Sequence, residues 1–107
     1  MGDFQRALYD YSVAIRIEKD KDNAGSAKLA EYCNYAGVQH FMLAQLDEAL
    51  NHYNMAIEIS PTQNGEYLYN RGLVRSRLDQ VEEAIKDYDN AIKQLSKGSS
   101  GEEESKY

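Results

Sequence analysis

The chain has 107 residues and a formal net charge of −6 at pH 7, a length that suits one small domain. The acidic balance disfavours nucleic-acid binding through phosphate neutralisation, and the single cysteine excludes an internal disulfide framework. No apolar run reaches the roughly 20 residues that span a bilayer, so we expect neither a nucleic acid nor a membrane as a partner. The first residues lack the basic and apolar pattern of a secretion signal, and we therefore expect a cytoplasmic protein.

The first predicted element is a helix over residues 3–18, which contains the phrase QRALYDYSVAI. Ala7 and Tyr11, four residues on, lie on one face of this helix. No partner helix precedes it in the sequence. Since an isolated helix cannot bury its apolar face, we expect Phe4, Leu8 and Tyr11 to form an exposed apolar edge.

The next stretch, EKDKDNAGSAK over residues 18–28, is rich in charge. Ala7 and Ala49 are separated by 42 residues, whereas Ala49 and Ala84 are separated by 35, and the surplus lies in this stretch. We interpret it as a charged, partly helical insert that lengthens either neighbouring helix by a turn or two.

Two further helical patterns, over residues 27–46 and 66–78, each carry a glycine in the middle. A glycine inside a helix costs roughly 1 kcal/mol relative to alanine. Gly37 and Gly72 are 35 residues apart, so this cost recurs at matching places. The recurrence predicts that another helix approaches closely at both glycines.

Each of these patterns is followed by a new version of the first phrase. DEALNHYNMAIEISP occupies residues 47–61, and EEAIKDYDNAI occupies residues 82–92. Asp47 and Glu82 stand where an acidic side chain favours a helix N-terminus. Pro61 stands where a proline ends a helix.

A helix, a tight turn and a second helix that recur every 35 residues resemble the tetratricopeptide repeat (TPR). The residues that carry the resemblance are Gly37, Ala49, Tyr53, Ala56 and Pro61 in one repeat and Gly72, Ala84, Tyr88 and Ala91 in the next. The first phrase matches only the second helix of a repeat. The chain therefore resembles a segment of a longer array, or a piece that docks on another chain.

The resemblance implies an all-α fold, a helix-turn-helix solenoid of about five helices. Its parts are a half repeat over residues 2–19, the insert over 18–28, repeats over 30–63 and 65–96, and a disordered acidic tail over 97–107. The sequence departs from the family where Cys33 and Leu68 replace tryptophan, Ala36 and Arg71 replace leucine, His40 and Arg75 replace tyrosine, and Ser96 replaces proline.

No arrangement of side chains in the sequence is typical of a catalytic or metal site, and we expect no enzyme activity, no metal and no cofactor. His40 is interpreted as a packing residue. His52 is interpreted as a solvated residue on a helix exterior. Cys33 falls in a core position of the repeat, so we expect it to be buried and inert.

In the TPR family, the first helices of the repeats line a concave groove that takes extended or helical peptides. Carried over to this chain, the groove consists of Glu31, Asn34, Val38, Phe41, Met42, Glu66, Tyr69, Asn70, Leu73 and Arg77. The alternative is that some of these, Phe41 especially, are ordinary core between repeats. The clamp with which some members grip a chaperone's C-terminal carboxylate is mostly absent. Only Asn70 matches it, and Glu66 would repel a carboxylate.

We therefore expect a non-catalytic protein–protein interaction module, a scaffold segment in a multi-protein assembly. The partner would be a protein or peptide, and self-association through the exposed first helix is a further expectation. Two alternatives stay open at this point: a regulatory or targeting module of an enzyme, and a peptide-binding co-chaperone. Cytoskeletal and ciliary assemblies use many such repeats, but no residue here selects them.

Overall fold

The computed structural model describes residues 2–21, 27–62 and 64–104, with side chains described as far as Ser96. This part of the chain forms five α-helices and no strand. They are α1 (Gly2–Asp20), α2 (Ala27–Met42), α3 (Leu46–Ile59), α4 (Gly65–Arg77) and α5 (Val81–Glu104). Each helix packs against its neighbours in the chain, and α2 also touches α4. The predicted all-α fold of about five helices is confirmed.

The two hairpins, α2–α3 and α4–α5, share one type of turn. Helix α2 ends at Met42, inside the predicted pattern of residues 27–46. The turns place Ala44 and Asp79 in the left-handed region, with φ of 62° and 67°, and in each turn the next N–H donates to a carbonyl five residues back at 2.8 Å. This conformation is uncommon outside glycine. Its recurrence 35 residues on means that the sequence repeat is also a backbone repeat.

The two mid-helix glycines lie directly beneath tyrosine rings. A Cβ atom added to Gly37 would stand 2.5 Å from Cε1 of Tyr53, and one added to Gly72 would stand 2.6 Å from Cε1 of Tyr88. Neither distance leaves room for a methyl group. The predicted close contact is therefore confirmed, and it pairs each first helix with the second helix of its own hairpin.

Alanines and one cysteine let the helices approach closely across the core. Ala30, Ala49, Ala56 and Cys33 are all fully buried. One core cluster joins α1, α2, α3 and α4 around Ile15, Leu29, Cys33, Ala56 and Tyr67. A second cluster joins α2, α3 and α4 around Ala49, Tyr53 and Val74. The small residues of the repeat therefore lie where helices cross, as the spacing predicts.

The predicted exposed edge on α1 is only partly right. Phe4 is exposed, but Leu8 and Tyr11 are half-buried and pack against the first core cluster. The correction follows from α2, which packs on that face of α1. The other exposed apolar residues of α1, which are Tyr9, Val13 and Ile17, lie on the opposite face, which the sequence pattern did not single out.

The two ends of the repeat region differ from the sequence interpretation in detail. Helix α1 reaches Asp20 and α2 begins at Ala27, and residues 22–26 of the insert lie outside the described residues. Helix α5 continues to Glu104, into the segment that the sequence interpretation assigned to a disordered tail. Residues 105–107 lie outside the described part. None of the described helices is both long and apolar enough to cross a membrane.

Candidate functional site

The candidate groove lies where α2 and α4 run side by side, and polar side chains join the two helices there. Asn34 is buried, and its Oδ1 accepts a hydrogen bond from Nδ2 of Asn70 at 2.9 Å. Its own Nδ2 donates to Oε2 of Glu66 at 3.4 Å. Asn34 and Asn70 are therefore hydrogen-bonded to each other where the two helices meet. Because Asn34 is buried, it cannot contact a partner.

The apolar members of the candidate groove contribute mainly to the core. Val38 and Phe41 are half-buried and pack against the second core cluster. Leu73 is half-buried as well. The alternative interpretation of Phe41 as core between repeats is thus the better description of its position.

The accessible part of the groove consists of charged side chains, a tyrosine and a methionine. Glu31, Met42, Glu66, Tyr69 and Arg77 are exposed. The guanidinium carbon of Arg77 lies 5.1 Å from the ring centroid of Phe41, a distance suited to a cation–π contact. This contact places the Arg77 guanidinium beside the half-buried Phe41.

One exposed tyrosine at this face was missed by the sequence analysis. Tyr35 is 40% exposed, and its ring lies 5.6 Å from that of Tyr11, centroid to centroid. Tyr69 packs similarly against Tyr88, at 5.7 Å. In the 35-residue register Tyr35 corresponds to Asn70, so the repeat offered no signal for an exposed tyrosine at this position.

Negative charge is concentrated at one end of the groove. Burial raises the pKa of Tyr67, and the carboxylates of Glu31 and Glu66 raise it further, followed by Tyr35. The two carboxylates therefore lie close to the Tyr67 hydroxyl. Arg77 stands at the C-terminal end of α4. The face is thus acidic at the N-terminal end of α4 and basic at the other.

The structure brings the rings of His40 and His52 together. Their ring centroids are 4.9 Å apart with an interplanar angle of 31°. His52 is half-buried, so its interpretation as a solvated residue is wrong. Nδ1 of His52 lies 3.1 Å from the Glu48 carbonyl, which can only accept, and Nδ1 of His40 lies 2.7 Å from Oε1 of Gln45.

The histidine pair has a distinct electrostatic environment but too few ligands for a metal site. Burial lowers the pKa of His52, and the nearby His40 and Lys19 lower it further, against the opposing hydrogen bond to Glu48. Among the described residues, no group of three or more His, Cys, Asp or Glu side chains could hold a metal ion.

A charged network that the sequence analysis did not find ties α4 to α5 and α3. The carboxylate of Asp87 is buried and accepts hydrogen bonds from Arg71 at 2.9 and 2.8 Å and from Arg75 at 3.1 Å. Arg71 also donates to Oδ1 of Asn54 at 2.9 Å. Arg71 and Arg75 stand where the TPR pattern has leucine and tyrosine. These two arginines were the signal in the sequence for a buried acidic partner.

Cys33 is fully buried, as predicted. Burial raises the pKa of its thiol, with a smaller opposing effect of Lys19. The thiolate, which is the nucleophilic form, is therefore disfavoured at neutral pH. Cys33 contributes to the core and offers no reactive group.

No family model matches this chain, and the curated proteins contain no match to it. The resemblance to the TPR family therefore rests on the residues themselves.

Proposed function

We propose that this chain is a non-catalytic protein–protein interaction module of the TPR type, which binds a protein or peptide partner on the face shared by α2 and α4. The observation that carries the proposal is the row of exposed side chains along this face. Tyr35, Met42 and Tyr69 offer apolar and aromatic surface, while Glu31, Glu66 and Arg77 offer charge. Interfaces are enriched in tyrosine, methionine and arginine.

Contacts within the fold hold the side chains of this face in place, which makes the face suited to recognition. Asn34 and Asn70 fix the distance between the two helices, and Phe41 anchors Arg77 from below. Side chains held in place lose less conformational freedom on binding. A partner segment with a basic end near Glu31 and Glu66 and an acidic residue near Arg77 would complement the charges of the face.

The proposal is tested by affinity capture with quantitative mass spectrometry on matched variants. Tyr69→Ala and Arg77→Ala alter the groove, and Lys86→Ala alters an exposed residue of α5 as a control. A partner retained by the unmodified chain and by Lys86→Ala, but lost with both groove variants, supports the proposal. Partners that both groove variants retain in full would refute binding at this face.

A further inference from the structure

A polar cavity of about 320 Å³ lies between the turn that precedes α4 and the middle of α5. Sites for small molecules in proteins commonly have volumes of about 300–1,000 Å³. Primary amides, which offer both hydrogen-bond donors and an acceptor, make up half of the lining side chains. The lining residues are Pro61, Asn64, Leu68, Asn90, Lys93 and Gln94.

The first hairpin has apolar side chains where the second hairpin has the three amides of this cavity. The equivalent residues, 35 positions earlier in the chain, are Leu29, Met55 and Ile59. Leu29 is buried in the first core cluster, and Met55 and Ile59 pack against that cluster. The repeat therefore does not require polar residues at these positions. The amides of the second hairpin serve something other than the packing of the helices.

Asn64, the residue just before α4, has a side chain that the fold does not use. It is 5% exposed and makes no capping hydrogen bond to α4, although asparagine at this position commonly does. Its Oδ1 has no hydrogen-bond partner among the described residues, which is rare for a buried polar atom. Because Asn64 lines the cavity, a molecule bound there can supply the missing donor.

The charges around the cavity favour an anion. Among the described side chains that line it, Lys93 is the one that carries a charge. The first N–H groups of α4 have no partners within the helix and lie at the positive end of its dipole. Glu66 accepts a hydrogen bond from α2, and Asp87 is paired with two arginines. Neither of these carboxylates lines the cavity, and the same holds for Glu58 and Asp89.

We propose that this cavity binds a small monocarboxylate that carries several hydroxyl groups, the chemistry of a sugar acid. Lys93 supplies one positive charge, which matches one carboxylate. A hydroxyl group can donate to Oδ1 of Asn64, and hydroxyl groups both donate and accept, as the amides of Asn90 and Gln94 do. The site goes beyond the face shared by α2 and α4, since it lies at the start of α4 and on α5.

The experiment titrates the full chain with three six-carbon compounds and follows the backbone and side-chain amide signals by NMR. Gluconate has the carboxylate and the hydroxyl groups, hexanoate has the carboxylate alone, and sorbitol has the hydroxyl groups alone. Gluconate should shift the side-chain amide signals of Asn64, Asn90 and Gln94 in a saturable way. Hexanoate and sorbitol should each bind at least about tenfold more weakly, because each lacks one set of hydrogen bonds.

Two substitutions test the residues that line the cavity. Lys93→Gln removes the charge, and Asn90→Met gives α5 the residue that α3 has at the equivalent position. Both residues are exposed, so the fold should be kept, which circular dichroism checks, and Asn90→Ala replaces Asn90→Met if that variant does not fold. Each change should weaken gluconate binding about tenfold. Lys86→Gln makes the same change as Lys93→Gln at an exposed position outside the cavity and should leave binding unchanged.

The groove variants separate this site from the face shared by α2 and α4. Tyr69→Ala and Arg77→Ala should bind gluconate as the unmodified chain does, since neither residue lines the cavity. The proposal is overturned if gluconate gives no saturable shifts, or if hexanoate or sorbitol binds as tightly as gluconate. Full binding by both Lys93→Gln and Asn90→Met, or loss of binding in Lys86→Gln, overturns it as well.

Discussion

Arg71 and Asp87 form a two-point ion pair between α4 and α5, with Nε and Nη2 of the arginine 2.9 and 2.8 Å from the two carboxylate oxygens. The carboxylate side chain is only 3% exposed, so it is nearly removed from water. Arg75 adds a third hydrogen bond to the same group. The geometry compensates the cost of burying Asp87, and it makes this residue sensitive to substitution.

Asp87→Asn is expected to destabilise the fold by about 3 kcal/mol, because it leaves two partly buried arginines without their counter-charge. Urea unfolding followed by circular dichroism measures the change. Asp89→Asn, two residues on at an exposed position, should stay within about 0.5 kcal/mol of the unmodified chain. Equal stability of the two variants would mean that the network does not contribute to the fold.

Gly37→Ala and Gly72→Ala are each expected to lower stability by about 1–3 kcal/mol, since the added methyl group overlaps a tyrosine ring. Gly37→Leu and Gly72→Leu should be more severe. Helix propensity alone predicts the opposite sign, a gain of about 1 kcal/mol for alanine. Thermal melts decide between the two effects.

The two tyrosines offer a matched test of the glycine contact. Trimming the ring with Tyr53→Leu should make Gly37→Ala much better tolerated, while leaving the cost of Gly72→Ala unchanged. A double-mutant cycle for each pair measures this coupling. If the changes in stability from Gly37→Ala and Tyr53→Leu were simply additive, this would count against a direct contact.

Acid is expected to destabilise the chain partly through His52. The pKa of His52 is lowered in the fold, so the unfolded chain binds a proton more readily between that lowered pKa and the ordinary value of about 6.5. The stability that neutral His52 provides is present above about pH 6.5 and is lost as the pH falls towards the folded-state pKa. Below that pKa, His52 is protonated in both the folded and the unfolded chain, so it no longer makes the free energy of unfolding depend on pH.

The histidine prediction is measured by urea unfolding across this pH range. His52→Gln should flatten the slope between the two pKa values, because the titrating group is gone. The comparison must be made against the unmodified chain, since His40 and Lys19 lie close to His52 and carboxylates also titrate at lower pH. An identical pH profile for both proteins would show that His52 does not contribute.

At the α2–α4 face, Tyr69→Ala and Arg77→Ala are each expected to weaken binding of a groove partner by about 1–2 kcal/mol. The fold should survive, because both side chains are exposed. Isothermal titration with the captured partner measures the loss. His52 is unsuitable as the surface control because it is half-buried, so Lys86→Ala serves instead. Loss of binding at Phe4 or Val13, with none at Tyr69, would point to the end helix as the binding surface.

The helices, their order and the repeat could be predicted from residue spacing alone. Alanine, tyrosine and glycine at fixed spacings indicate which residues lie on one helical face, so a close approach of another helix at Gly37 and Gly72 could be predicted. The tyrosine rings of Tyr53 and Tyr88 as the contacting groups came from the structure. The boundary at Pro61 was predictable for a similar reason, since proline cannot donate the backbone hydrogen bond that continues a helix.

The face that each helix turns to its neighbours could not be predicted from spacing and is known from the packed helices. It placed Leu8 and Tyr11 against the core, buried Asn34, stacked His40 on His52 and closed Arg71 on Asp87. The periodicity of one helix constrains its own faces, whereas these contacts depend on the distance and rotation between helices. That relation is set by the packing of all their side chains together.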